Sequence, residues 1–449
     1  MTTAVTTNHD RDIGHFPSSL DAAGSFDGRG ILDCVHCGLC LPMCPTYLTT
    51  GIEMASPRGR IYMMRAVGEG QAGISSVFVK HLDQCLGCLA CQPACPSGVP
   101  YGRLLESARV EIVRSFERPA GDRFWRRMIL ALFPHPERMG PVLSGLYWYQ
   151  RLGLSRVLRG SGVLALVSAR LAQMEALLPP VPSPAARRPL PEFTPAVGRG
   201  VGRVGFLTGC LQRSLLPGIN QATVRVLAAA GYEIVTPPEQ GCCGALHLHA
   251  GDLETARGLA RSMIEVFERA QVSTVVVNAA GCGAAMKEYE HLFQDDPAWR
   301  RRAETFSARV RDVSEVLAGC SWNGALRPVP LMVTYHEACH LAHAQGIRKE
   351  PRSVLRQIPG LTLVELPESD LCCGSAGMYN LLQTEMASQI LRRKVECIRE
   401  TGASHVAIGN IGCLLQITLG LRQAKVPVRA VHPVELLDWA LHGMPARPN

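Results

Sequence analysis

The sequence lacks the features of a membrane-spanning or secreted protein. None of its apolar runs approaches the roughly 18 to 20 uninterrupted residues that a spanning helix requires. The N-terminus begins Met-Thr-Thr-Ala and continues polar and charged through Asp12, without the basic and apolar stretches of a secretory signal. We therefore expect a soluble, cytoplasmic protein. In a reducing compartment, closely spaced cysteines serve as metal ligands or redox groups more often than as disulfides.

The sequence also lacks motifs for binding a nucleotide or cleaving a peptide. It has no G-x-x-x-x-G-K-[ST] loop, and its G-x-G-x-x-G at 200–205 precedes a predicted strand instead of following one. The protease signature H-E-x-x-H occurs at 336–340, but it begins at the end of a predicted strand and no third ligand is evident. No nucleophile and base, carboxylate pair or flavin motif stands out, so we expect the substrate chemistry to occur on another chain.

Lysine is missing from residues 103–188, which contain 14 arginines and six acidic residues. The excess of eight positive charges in this segment equals the net charge of the whole chain, so the rest sums to zero. Aromatic residues accompany the arginines, which suits a helical platform against a partner subunit or an interfacial helix on an anionic membrane. We favour the partner slightly, and we expect no nucleic acid because no binding motif accompanies the charge.

The length of 449 residues suggests about three domains. Residues 179–195 hold seven prolines in seventeen positions, which favours an extended linker. We divide the chain into six parts: a polar N-terminal tail (1–30), a cysteine-rich domain (31–102), a basic helical segment (103–178), the linker (179–200) and two repeats (201–325 and 326–449).

The C-terminal part alternates short β-branched runs with longer helical patterns. Strands are predicted at Val204–Leu207, Thr274–Asn278, Leu331–Tyr335, Leu361–Leu366 and His405–Ile408. Helices are predicted at 218–230, 252–270 and 376–399. This alternation indicates α/β layers with mainly parallel sheets, and together with the helical N-terminal half it gives an α+β protein.

The cysteines reveal an internal repeat. Cys210, Cys242, Cys243 and Cys282 recur as Cys339, Cys372, Cys373 and Cys413, with offsets between 129 and 131 residues. In both copies the first cysteine follows a strand, the pair lies within Cys-Cys-Gly, and the last is predicted in a turn after another strand. Such loops at the carboxyl ends of parallel strands are where α/β sheets build sites. Adjacent cysteines do not readily pair with each other, so each set of four is interpreted as ligands of a zinc ion or an iron–sulfur cluster.

Two further cysteine runs lie near the N-terminus. Both follow the spacing C-x2-C-x2-C-x3-C-P, the spacing of two-cluster ferredoxins, in which the fourth cysteine ligates the other cluster. On this rule Cys34, Cys37, Cys40 and Cys95 hold one 4Fe-4S cluster. Cys85, Cys88, Cys91 and Cys44 hold the second. Between the runs, Arg58 and Arg60 either influence a cluster or an anionic partner group, or belong to a solvated turn and helix start; both interpretations stay open.

The sequence resembles the iron–sulfur subunit of bacterial glycolate oxidase and its relatives in lactate oxidation, glycerol-3-phosphate oxidation and heterodisulfide reduction. The resemblance runs from Cys34 onward and rests on CVHCGLC (34–40), PRGRIY (57–62), GCGAAMKEY (281–289), LCCGSAG (371–377) and NIGC (410–413). It implies an electron-transfer subunit that takes electrons from an FAD-containing partner oxidising glycolate to glyoxylate. Its quinone-type acceptor would suit a peripheral position on the inner membrane.

The chain departs from this resemblance in its Cys-Cys-Gly repeats. Heterodisulfide reductases end each repeat in C-x2-C, whereas here Ala285 and Gln416 replace the fifth thiol, so their unusual cluster is not carried over. A further cluster or metal ion in each repeat remains an expectation, against a purely structural role. The alternative functions are an iron–sulfur subunit for lactate or glycerol-3-phosphate oxidation, a heterodisulfide reductase-like thiol enzyme that uses the Cys-Cys-Gly site, and a zinc scaffold.

Overall fold

A computed structural model describes residues 28–322 and 324–445. Most of the predicted polar tail, residues 1–27, lies outside the described residues. The expected α+β class is confirmed, because a helical N-terminal half precedes two units that each alternate strands and helices. Within the described ranges, no helix combines the length and the apolar character needed to cross a bilayer.

Five helices and one 3-10 turn (Glu53–Ala55) build the cysteine-rich region, which extends to Ser115 because its last helix runs across the predicted boundary at residue 102. The helices are α1 (Gly28–Leu32), α2 (Pro45–Thr50), α3 (Pro57–Gly68), α4 (Ser76–Asp83) and α5 (Tyr101–Ser115). Helix α3 begins at Pro57 because the Ser56 hydroxyl accepts a hydrogen bond from the Gly59 amide (3.0 Å), which satisfies a free donor of the first turn. The helices share a core around Met64, Leu82 and Leu104, and the two cysteine runs occupy the turns between them.

The basic segment forms five more helices that pack onto both neighbouring regions. They are α6 (Ala120–Leu132), α7 (Pro136–Arg151), α8 (Leu154–Ser161), α9 (Val163–Val167) and α10 (Ala169–Leu177). Arg118 and Arg126 both pair with Asp83 at the end of α4, at 2.5 and 3.0 Å. Part of the arginine excess therefore attaches this segment to the cysteine-rich region.

The proline-rich segment has no helix, but it adds a strand to the first repeat. This strand, β1 (Phe193–Thr194), lies antiparallel to β3 (Tyr232–Val235). Arg187 also donates to the Gly140 carbonyl (3.1 Å) and the Ser144 hydroxyl (2.8 Å) of α7. The segment predicted as a linker is thus bonded to structure on both sides.

Each repeat builds a parallel sheet of four strands in the same order. Besides β1 and β3, the strands are β2 (Gly202–Leu207), β4 (Val275–Val277), β5 (Val310–Asp312), β6 (Met332–His336), β7 (Thr362–Val364), β8 (His405–Ile408) and β9 (Arg429–Val431). The first sheet has the order β1-β3-β2-β4-β5 and the second β7-β6-β8-β9. The five predicted strands are confirmed, whereas β1, β3, β5 and β9 were not predicted.

Thirteen helices and one π-helical turn (His340–Ala344) surround the two sheets. In the first unit they are α11 (Cys210–Leu215), α12 (Pro217–Ala229), α13 (Ala245–Ala250), α14 (Leu253–Arg269), α15 (Ala280–Lys287), α16 (Tyr289–Leu292), α17 (Pro297–Ser307) and α18 (Val313–Ala318). In the second unit they are α19 (Lys349–Arg356), α20 (Tyr379–Leu382), α21 (Thr384–Glu400), α22 (Ile411–Gln423) and α23 (Pro433–His442).

One predicted helix, 376–399, is divided. Ala376 and Gly377 have φ angles of 42° and 66°, outside the right-handed helical region, so the chain turns there before α20 and α21 begin. The two repeats themselves share one apolar core that includes Phe206, Val226 and Tyr335. This common core fixes their relative position.

Gly420 tests the close packing of α22 against α21. A Cβ atom at this position would lie 2.7 Å from Val395 Cγ2 and 2.8 Å from Leu391 Cγ. We expect Gly420→Ala to lower the free energy of unfolding by about 1–3 kcal/mol through overpacking, measured by thermal or denaturant unfolding. The control is Gly140→Ala in α7, which meets no atom within 4 Å and should be neutral or stabilising by up to about 1 kcal/mol. Equal stability of the two variants would contradict this packing.

Candidate metal centres

The four cysteines of the first predicted thiol set come together in the structure. Cys34, Cys37, Cys40 and Cys95 line a small pocket, where Cys91 of the other set also reaches. Burial, opposed by a hydrogen bond from the His36 backbone, raises the pKa of Cys34, and the neighbouring Cys95 and Cys37 raise it further. Cys37 itself is exposed. The fourth cysteine of the second run therefore lies with the first three of the first run, as the spacing predicts.

The second set lies deeper. Cys44, Cys85, Cys88 and Cys91 are all buried. Burial raises the pKa of Cys91 strongly, and the nearby thiols of Cys85, Cys44 and Cys40 add to this rise. Cys44, the last cysteine of the first run, thus joins the second run. Ligation of a cluster by these residues remains a prediction.

Polar groups near the second set are directed at its sulfur atoms. The Tyr101 hydroxyl (3.3 Å) and the Gly87 amide (3.4 Å) donate to Cys85 Sγ. The Thr46 hydroxyl lies 3.2 Å from Cys44 Sγ, but it donates its hydrogen to the Ala55 carbonyl at 2.7 Å. Donors such as Tyr101 and the Gly87 amide stabilise thiolate sulfur, the form that binds iron.

Arg60 is a buried cation beside this set. Its position decides whether it influences a cluster or belongs to a solvated turn and helix start, the two interpretations that the sequence left open. Its side chain is fully buried and donates to the His81 carbonyl (2.8 Å) and the Thr46 hydroxyl (3.0 Å), with Cys44 Sγ at 3.9 Å. Burial alone lowers its pKa, but Cys85, Tyr101 and Cys44 outweigh burial and raise it. Arg60 is therefore not part of a solvated turn. Arg58, by contrast, is partly exposed and pairs with Glu53 at 2.6 Å.

The first Cys-Cys-Gly set lies at the carboxyl edge of the first sheet. Cys210 begins α11 after β2, Cys242 and Cys243 follow β3, and Cys282 is in α15 after β4. The Sγ atoms of Cys210 and Cys242 are 3.5 Å apart. Hydrogen bonds from Cys210 and Cys243, helped by the Gly244 amide, lower the pKa of Cys242 despite its burial.

The second set repeats this arrangement at the edge of the second sheet. Cys339, Cys372, Cys373 and Cys413 are all buried. The pKa of Cys372 is lowered through hydrogen bonds from Cys339 and Cys373, as for Cys242 in the first set. Asn410 Nδ2 donates to Cys413 Sγ at 3.3 Å.

The expectation that the last cysteine of each set lies in a turn is wrong. Cys282 and Cys413 are each the third residue of a helix, α15 and α22. Each therefore lies in the first helical turn, where free backbone amides and the helix dipole stabilise an anionic thiolate.

The H-E-x-x-H string does not build a protease site. His336 ends β6, His340 begins a π-helical turn, and Glu337 pairs with Arg348 (2.6 Å) and Arg352 (2.5 Å). The two histidines therefore do not share one helical face, as a zinc protease requires, and both carboxylate oxygens of Glu337 are engaged by arginines. The G-x-G-x-x-G string likewise runs into β2 and opens no helix.

One large, mainly apolar cavity borders three of the four thiol sets. It has a volume of about 580 Å³ and is lined by Cys85 and by cysteines of both repeats. Its other walls are mainly apolar side chains of α6–α10, such as Leu143, Leu146 and Met174. The basic segment, for which the sequence predicted no role inside the molecule, thus closes a shared interior space.

The donor sets fit iron–sulfur clusters. Each set of four thiols is gathered from turns and helix starts, without a disulfide in the part of the chain that is described. Amide and hydroxyl donors and a buried arginine compensate the charge that thiolates and a cluster would carry.

Fold and thiol sets define a class: an iron–sulfur protein that joins a ferredoxin-type unit to a duplicated cysteine-rich α/β unit. Residues 30–99 match the family described as "4Fe-4S dicluster domain". Residues 204–287 and 333–418 match "Cysteine-rich domain", and residues 121–178 match "Glycolate oxidase iron-sulfur subunit, linker region".

Relatives along nearly the whole chain identify the family. The chain is 42% identical to the "Probable glycolate oxidase iron-sulfur subunit" of Bacillus subtilis, over 92% of this chain and 94% of the relative. It is 33% identical to the "Glycolate oxidase iron-sulfur subunit" of Escherichia coli, over 91% and 93%. The chain belongs to the family of glycolate oxidase iron–sulfur subunits, as the resemblance in its motifs indicated.

Two other similarities are more limited. "Lactate utilization protein A" of an Exiguobacterium species is 33% identical over 52% of this chain and 96% of its own length. A crystal structure of a hypothetical protein from Helicobacter pylori has a TM-score of 0.55 at 8% identity, covering 95% of this chain and 75% of that one. The latter likeness concerns the fold alone.

Arg60 gives a test of the second thiol set. We expect Arg60→Met to make the potential of the iron–sulfur centre beside it more negative, because a fixed positive charge favours the reduced state. A shift of about 60 mV or more, equal to a tenfold change in a one-electron equilibrium, should appear in a potentiometric titration followed by electron paramagnetic resonance (EPR). Arg65→Met, at an exposed arginine of the same helix, is the control. If both variants have the same potential, Arg60 does not influence this centre.

Proposed function

We propose that this chain is the electron-transfer subunit of a flavin-dependent glycolate oxidase. In this proposal an FAD-containing partner oxidises glycolate to glyoxylate, and the electrons leave through this chain to a quinone-type acceptor. When bound, 4Fe-4S clusters supply single-electron chemistry, which links a two-electron flavin to other carriers. The observation that carries the proposal is a continuous series of thiol sets from an exposed surface to the apolar cavity.

The exposed end of this series suits the flavoprotein partner. Cys37 lies at the surface among the apolar side chains of Val35, Leu39 and Tyr62, which are 68%, 56% and 63% exposed. Arg58 adds a charged group at the edge of this patch and donates to the His36 carbonyl at 3.0 Å. An apolar centre with a charged rim is the usual composition of an interface between subunits.

Inside the molecule, the second ferredoxin-type set meets the second repeat. Cys88 packs in one apolar cluster with Cys339 and Cys372. These thiols are close enough to interact electrostatically: Cys372 raises the pKa of Cys88, after burial as the main cause. The protein thus brings residues of two candidate ligand sets into one buried apolar cluster.

The cavity suits an apolar acceptor with a ring. Its walls are largely apolar, and cysteines of both repeats lie at its edge. His249 and His340 also line it, with their ring centroids 5.4 Å apart. A few polar groups in an apolar pocket of this size match the binding of a quinone head group, whose oxygens need hydrogen-bond donors.

A lipid-soluble acceptor would require contact with a membrane, and the segment around α8 and α9 supports such contact. Val157, Leu166 and Val167 are 66%, 87% and 70% exposed, close in sequence to the exposed Arg151 and Arg156. Apolar residues beside arginines favour an anionic bilayer surface.

We expect the protein to sediment with phosphatidylglycerol vesicles and Leu166→Glu to weaken this binding at least threefold. Val113→Glu, at an exposed residue of α5, is the control. Equal binding of both variants would contradict membrane contact through the segment around α8 and α9.

Lactate is the second candidate substrate. The similarity to "Lactate utilization protein A" favours it, and both compounds are 2-hydroxy acids. In either case the flavoprotein selects the substrate, because electron transfer through this chain would be the same for both compounds.

The central experiment measures metal and electron transfer in the complex. Protein purified without oxygen with its flavoprotein partner should contain at least about eight irons per chain. Glycolate should bleach the visible absorbance of the clusters, and a soluble quinone should restore it. Zinc without iron in the ferredoxin-type sets would contradict the proposal, whereas bleaching by lactate alone would favour the second candidate.

Filling the cavity separates its role from that of the clusters. We expect Leu146→Trp to slow quinone reduction at least tenfold, because the larger side chain occupies the space against α7, while glycolate still bleaches the clusters. Val113→Trp, outside the cavity, should leave both rates unchanged. If Leu146→Trp reduces quinone at the normal rate, the acceptor does not bind in this cavity.

A further inference from the structure

The two cysteine-rich units share their thiols but differ in one residue beside them. Three residues before the first cysteine, the second unit has His336, and the corresponding residue of the first unit is Leu207. Both side chains end a central strand, β6 or β2, and both are buried. The imidazole is thus the exception at a position where the fold also accepts an apolar side chain.

His336 lies among the thiols of the second unit. It is fully buried, and one of its ring nitrogens and the Sγ atoms of Cys373 and Cys413 all lie within 4.8 Å of one another. Three donor atoms at such distances can converge on one metal group. His336 therefore shares the position of the candidate ligands and does not lie behind them.

The imidazole nitrogens of His336 have no hydrogen-bond partner at normal distance and angle among the described residues. The Lys394 cation and the Ser369 backbone lie close enough to interact with the ring. Burying an imidazole without partners costs free energy that a leucine would not. A metal ligand that offers one nitrogen while the other faces a backbone carbonyl is a common arrangement.

A second charged residue distinguishes the same unit. Lys394 in α21 is 2% exposed, donates to the Glu368 backbone carbonyl, and interacts electrostatically with Cys397 and with the site thiols Cys373 and Cys372. The corresponding residue of α14 is the apolar Met263. A buried ammonium group requires a negative neighbour, which thiolates holding a metal centre would supply.

We propose that His336 is a nitrogen ligand of an iron–sulfur centre in the second unit, alongside Cys339, Cys372, Cys373 and Cys413. The centre of the first unit then has thiolate ligands only. This inference rests on the proposed function, since it takes the second unit to hold iron. A neutral imidazole adds no negative charge to the four thiolates, so a fifth thiolate in its place should lower the potential of this centre.

Isotope labelling tests the ligand without changing the protein. The full-length chain is prepared with 15N-histidine and without oxygen, then partly reduced. Pulsed EPR should detect a strongly coupled nitrogen that changes with the isotope, as expected for directly bound imidazole. If the full complement of iron is present and no such coupling appears, His336 is not a ligand.

Variants assign the signal to one residue. We expect His336→Leu, which installs the residue type of the first unit, to abolish the coupling and to speed iron loss to a chelator at least tenfold. His336→Cys should retain iron, lose the nitrogen coupling and move the potential of the centre to a more negative value. The control is His343→Leu, at a buried histidine whose two nitrogens already contact Arg348 Nη2 and the Asp370 carbonyl, both at 3.0 Å. This control should keep the signal.

The outcomes separate this inference from the proposed function. About eight irons with none in the cysteine-rich units, or zinc in their place, would overturn the role of His336 and leave the ferredoxin-type sets intact. A chain without any iron would overturn both. Should His336→Leu fail to fold, the labelled unsubstituted protein still decides.

Discussion

The structure depends on the burial of thiol groups that must become anionic to bind metal. A thiolate removed from water is costly unless donors and cations surround it, and most of the cysteines in the four sets are buried. Helix starts, backbone amides, Tyr101 and Arg60 are placed at the sulfur atoms to meet this cost. The positions of several helices follow from it, since α15 and α22 both begin two residues before a cysteine.

The same constraint explains why the basic helices lie where they do. Thiol sets at the edges of two sheets leave an open space between them, which water would fill. The apolar faces of α6–α10 close this space, while Arg118 and Arg126 hold the segment to Asp83. The basic segment, which the sequence predicts as a platform for a partner, therefore also lines the cavity.

Much of the ferredoxin-type region could be predicted from the sequence because a fixed spacing specifies its geometry. The exchange of Cys44 and Cys95 between sets follows from the proline after each, and the positions agree. The strands β3, β5 and β9 were missed because each is short and contains a charged residue, whereas β4, equally short, is a continuous run of valines. The burial of Arg60 and the place of His336 arise from contacts across the fold. The protease interpretation of the motif that contains His336 was correctly rejected. The approach of His336 to Cys373 and Cys413, however, cannot be predicted from a local sequence pattern, because these residues are far apart in the chain.

The contact between the ferredoxin-type region and the second repeat also affects how the protein is made. The Tyr379 hydroxyl donates to the Gln84 carbonyl (3.0 Å) across 295 residues, and Cys88 packs against Cys339 and Cys372. During synthesis the N-terminal cysteines leave the ribosome long before the residues that cover them. The second ferredoxin-type set is therefore not covered until the C-terminal repeat folds onto it, and completion of the chain ends the period in which these thiols are open to solvent.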